Sequence, residues 1–229
     1  MTRSYERFAG ACALLVATAG VVFTITFAVV VRDGDHWAKW ASSIALAAGG
    51  LLAVPVFLAL NATLRTPEAQ FAQVGLVLGL AGALGAAAHG AYDVAVLANP
   101  VAGNSDLPSQ VDPRGVATFA AAGAALAVFG VLILRSGQLP RLLGQVGILA
   151  AVLLLIVYFG RLIVLDPHSN AIKPFAVASG VLVTPAFYFL LGRTLLRLTR
   201  TVDLTETPPS LAPATVASLD AVAHDVTLR

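Results

Sequence analysis

Among the 229 residues, few side chains capable of chemistry lie within apolar surroundings, and they fall in two places. His89 and Asp93 are four residues apart with Tyr92 between them, and Arg161 follows Tyr158 by three. Both neighbourhoods are long runs of Ala, Gly, Val and Leu. An ionisable group in such a run is costly to bury and is by default a candidate for function. A carboxylate, an imidazole and a guanidinium together can bind a polar ligand or relay a proton. They can also simply pair, so that Asp93 and Arg161 hold two helices in register with His89 alongside. His89, Tyr92, Asp93, Tyr158 and Arg161 are therefore the candidate ligand-binding or proton-relay residues, and none is assigned a catalytic role.

Catalytic sets of other kinds are missing. Neither lysine, Lys39 or Lys173, lies inside an apolar run, as a retinal Schiff base would require. No Gly-x-Ser-x-Gly elbow occurs, and the glycine-rich stretches lie within apolar segments rather than in phosphate-binding loops. The single cysteine, Cys12, excludes an internal disulfide and any Cys-x-x-Cys motif. Three histidines, His36, His89 and His168, fall toward one side of the chain's traverse, yet no two have the spacing of three or four residues that one helix needs to present a ligand pair. They are the low-ranking metal candidates, and neither a metal nor another cofactor is expected.

The elements that position these groups follow from composition. Hydrophobic residues are 58% of the chain and charged residues 11%, against about 25% charged in soluble domains. Mean hydropathy is +0.86. This excludes a soluble enzyme, a disordered chain and a nucleic-acid binder, and makes the lipid bilayer the protein's solvent. Net charge is +2. Six apolar segments, about 8–31, 41–64, 69–98, 115–134, 142–165 and 174–196, each reach the roughly 20 residues a membrane span needs. They are continuously apolar, unlike the alternating strands of a barrel. The expected fold is all-α, a six-helix transmembrane bundle over residues 1–200 with short loops. Residues 201–229 form a flexible cytoplasmic tail or a short amphipathic helix.

On the side of the termini lie Arg3, Arg7, Arg65, Arg135, Arg141, Arg193, Arg197 and Arg200; on the other lie Arg32, Lys39, Arg114 and Lys173. This bias puts both termini in the cytoplasm of a multi-pass plasma-membrane protein. At 1.5 Å per residue, His89 then lies roughly 9 Å outward of its helix centre, Asp93 about 15 Å and Arg161 about 11 Å. Gly75, Gly79, Gly82, Ala86, His89 and Asp93 share one helix face, as do Gly147, Ala151, Leu154, Tyr158 and Arg161. Small-residue stripes admit close helix neighbours, so the third and fifth spans are expected to pack together and to pair Asp93 with Arg161.

The His89-x3-Asp93 spacing resembles part of the motif of membrane hydrolases of the alkaline-ceramidase and adiponectin-receptor type. That resemblance implies a metal-dependent intramembrane hydrolase, although the late His-x3-His of those proteins is absent. Across residues 8–200 the overall pattern resembles the small six-helix bacterial membrane proteins of unassigned function, which implies the architecture. The leading expectation is a small-solute or lipid-binding transporter or sensor, with a polar cluster in the outer half of the bundle. The hydrolase and a structural or partner-binding bundle are the alternatives. The partners expected are the lipid bilayer and a small-molecule ligand, with no nucleic acid; oligomeric state is left open.

Overall fold

The computed structural model describes residues 2–30, 35–66, 68–99, 112–164 and 170–205. The described residues are almost entirely helical and include no strand. Helix α1 is Arg3–Ile25, continued by a π-helical segment, Thr26–Val30. Next come α2 (His36–Leu64), α3 (Ala69–Ala98), α4 (Pro113–Ser136) and α5 (Arg141–Ile163). The sixth span is composite: α6 (Lys173–Val177), a π segment (Ala178–Val183) and α7 (Thr184–Thr205). Six spans are long and apolar enough to cross a membrane, so the protein is an all-α, six-helix integral membrane protein. The last span continues to Thr205, beyond the end that its apolar run suggests. Residues 206–229, and with them most of the expected tail, lie outside the described residues.

Local chemistry accounts for the ends. Gly137 (φ 65°) supplies the left-handed residue after α4, and its N–H donates to Ile133 O at 3.3 Å. Two residues on, buried Leu139 plugs the turn into the core before Pro140 opens α5. Inside α2, Pro55 has no N–H to give. The Tyr5 hydroxyl of α1 donates to the Pro55 carbonyl at 3.2 Å, tying the two helices at that weakened turn.

The spans stand in a ring in chain order, each packed on the next, and the sixth closes on the first. The seam between α5 and the sixth span is the most sparsely packed. Among the described residues the α3 and α5 backbones are not packed on each other, because α4 stands between them. This corrects the expected pairing of the third and fifth spans. Their glycines do face the bundle, but three of them receive a ring from another helix and Gly82 meets the α4 backbone at Ala122. Phe129 of α4 sits on Gly75, Phe57 of α2 on Gly79, and Phe187 of α7 on Gly147. A stripe of small residues records close approach without naming the neighbour, which is why sequence misassigned it.

These three phenylalanines, with Leu60, Leu64, Leu126, Ile133, Leu191 and Leu195, are fully buried. They fill the half of the bundle that holds Arg3 and Thr205, termed here the near half. The Phe57 and Phe129 rings stack at 6.1 Å. Facing outward all around the bundle are large apolar side chains such as Leu15, Leu51, Val77, Phe159 and Leu182, as expected where lipid replaces water.

Candidate functional site

In the far half the ring encloses a cavity of about 200 Å³ lined from all six spans. His89 and Asp93 reach it from α3, Arg161 from α5 and Lys173 from α6. In register, His89 and Asp93 are one turn apart, so both meet the same space. His89 Nε2 lies 3.7 Å from Asp93 Oδ2, and the two side chains are 13% and 24% exposed. The imidazole lies flush against Gly115 of α4, where an added Cβ would come within 2.6 Å of Nε2. Gly115 thus makes room for His89 at the start of α4. Arg161 brings a guanidinium whose Nη1 is buried.

Hydroxyl groups complete the polar wall, and most are held by their own helices. Thr118 donates to Gly115 O at 2.7 Å, and Ser179 and Thr184 are 3.3 Å apart. Thr24 occupies the space that a Cβ on Gly180 would need, which brings α1 and the sixth span together. Lower in the cavity the wall is apolar, formed by Phe119, Leu154 and the ring of Tyr188. A second cavity, about 150 Å³, shares those three residues and continues inward to Phe57, Gly82 and Leu126. The space therefore has a charged far end and an apolar stem.

Both π segments border this space. Phe27 and Ala28 of one, and Ser179 and Gly180 of the other, line it. The wider π turn has a local cause and a consequence. Lys173, Ala176, Gly180, Thr184 and Tyr188 are spaced by three, four, four and four. Four-residue steps would drift around an α-helix of 3.6 residues per turn. Wider turns keep all five on one face, and all five line the cavity.

Of the five residues singled out from sequence, His89, Asp93 and Arg161 are brought together and Tyr92 and Tyr158 are not. Tyr92 is exposed on the outside of α3. Tyr158 packs edge-on against the exposed Phe159 ring, 5.0 Å between centroids. Asp93 lies in ionic contact with His89 on its own helix. His36 is exposed at the start of α2, and His168 lies outside the described residues. Among the described residues, no three His, Cys, Asp or Glu side chains gather as a metal site would require.

Lys173, Thr24, Thr118, Ser179 and Tyr188 were missed. The hydroxyls carry no charge signal, and Lys173 shares a face with Tyr188 only through the wider π turns. Lys173 was read as a loop cation that sets orientation. No family model, curated protein or solved structure matches the chain, so what the protein does is to be argued from this cavity.

Proposed function

We propose that this integral membrane protein is a transporter or sensor that takes a small solute or lipid into the far-half cavity. One observation carries the reading: in a bundle with very few charges, His89, Asp93, Arg161 and Lys173 line a single cavity to which all six spans contribute. Charged groups are tolerated at membrane depth where they face a water-filled or ligand-filled space.

The test is native mass spectrometry of the full chain in phosphatidylcholine nanodiscs. The wild type retains a small molecule, and Ala176→Phe, which places a ring in the cavity, loses it with little change in melting temperature. If both proteins show the bare chain mass while Asp93→Asn and Arg161→Gln lower the melting temperature, the cluster is structural and the reading fails.

The proposed sidedness places both termini in the cytoplasm and the charged end of the cavity outside. Cys12 is buried, so after its replacement a single cysteine at Ser105 reports one side and one at Ser210 the other. An impermeant thiol reagent added outside intact cells labels the first and spares the second; the reverse pattern inverts the orientation.

A further inference from the structure

We propose that the cavity selects an anionic amphiphile, with Arg161 and Lys173 clamping a carboxylate or phosphate headgroup while the apolar chain descends the stem. The inference rests on the ligand-binding reading above and gives it a ligand class. Its first support is how the two cations come together. Ile172 occupies the space that a Cβ on Gly160 would need, across the seam between α5 and the sixth span. The residues that follow each of these, Arg161 and Lys173, both line the cavity. One contact between neighbouring spans thus brings two cations to the same end of the space.

Charge balance is the second support. The acidic group on the described cavity wall is Asp93, and its carboxylate already lies beside His89 on α3. Among the described residues that line the cavity, two cations, Arg161 and Lys173, accompany that one carboxylate. Among the described residues the Lys173 ammonium has no ion-pair or hydrogen-bond partner. A guanidinium can take two headgroup oxygens at once, and a lysine adds a mobile point charge. Together they recognise an oxyanion better than a neutral or cationic group.

Shape is the third. A free inorganic anion would need only the charged end. From Asp93 to Gly82 the combined cavity runs along roughly 17 Å of α3, and its stem is lined by Phe57, Phe119, Leu126 and Leu154. That stem fits a hydrocarbon chain.

The experiment measures binding to the full chain in phosphatidylcholine nanodiscs by equilibrium dialysis, with protein-free discs as the partition control. The probes are radiolabelled decanoate, decanol, decyltrimethylammonium, acetate and inorganic phosphate. Saturable decanoate binding at least tenfold tighter than that of each other probe is the expected result. Lys173→Gln weakens decanoate at least tenfold, Lys173→Arg restores most of it, and decanol is unchanged by either. Melting temperatures of both variants within a few degrees of wild type show that each is folded. Decanol or decyltrimethylammonium binding as tightly as decanoate overturns the anion selectivity while leaving the ligand-binding reading intact. Acetate or phosphate matching decanoate overturns the role of the chain and makes the site one for free anions. Saturable binding of none of the five overturns this inference, and the nanodisc mass measurement then decides separately whether the cavity holds another ligand.

Discussion

The two halves of the bundle use the same small residues for opposite ends. In the near half, glycines are filled: Gly75, Gly79 and Gly147 each receive a phenylalanine ring, and Gly192 approaches the Gly10 backbone across α1 and α7. In the far half, Gly90 and Gly160 are also closely met, by the α2 backbone and by Ile172, but Gly115 seats an imidazole and Gly180 a threonine hydroxyl, and the space between the spans stays open enough for a cavity. Within lipid, helices are not driven together by the hydrophobic effect, so packing and polar contacts decide their association. The near half supplies that packing. It lets the far half hold charged groups around a space that contributes little cohesion.

If that division is right, the largest loss of stability comes from the near half. Phe129→Ala removes a fully buried ring from against Gly75 and Phe57. The expected cost is about 3–5 kcal/mol, as for other large-to-small changes of a buried aromatic, read from reversible unfolding in mixed micelles. A cost below about 1 kcal/mol would mean that the near half is not the anchor.

Overfilling a close approach should cost somewhat less. In Gly192→Val the first added carbon would lie 2.8 Å from the Gly10 carbonyl oxygen, and α1 and α7 must separate. About 1–3 kcal/mol is expected, measured in the same way. Binding of any cavity ligand should survive in the fraction that remains folded.

Gly115→Ala crosses from one half to the other. Its methyl group would displace the His89 imidazole, which has the cavity to turn into, so the stability cost is expected near the lower bound, about 1 kcal/mol. Ligand affinity, followed in nanodiscs, should change more than stability does. Equal losses in both would assign His89 to packing.

The smallest effect expected is the coupling between Asp93 and Arg161. These residues reach the cavity from helices that α4 separates, and Asp93 lies beside His89 on its own helix. In a double-mutant cycle of Asp93→Asn and Arg161→Gln, unfolding free energies should add to within about 0.5 kcal/mol. Coupling well above that would establish the interhelical ion pair and turn the far half into a second structural core.

The chain by itself determined the number, length and order of the spans. Each depends on a local property, the apolar length set against bilayer thickness and the Pro, Gly and Asp residues between runs. It also determined the depth of His89, Asp93 and Arg161, because rise per residue is constant along a helix. Which residues share a face was legible as well, except in the last span, where the π segment Ala178–Val183 brings Lys173 and Tyr188 onto one face. Tertiary structure alone decided that α4 stands between α3 and α5, that rings from other helices fill the glycine stripes, and that Tyr92 and Tyr158 look away from the cavity. It also decided that Lys173 joins Arg161. The physical reason is that depth and face are properties of one helix, whereas neighbours and cavities depend on how six helices divide a common volume. In a chain built largely from Ala, Val, Leu and Gly, many pairings look equally acceptable from sequence, and only the seating of individual rings on individual glycines separates them.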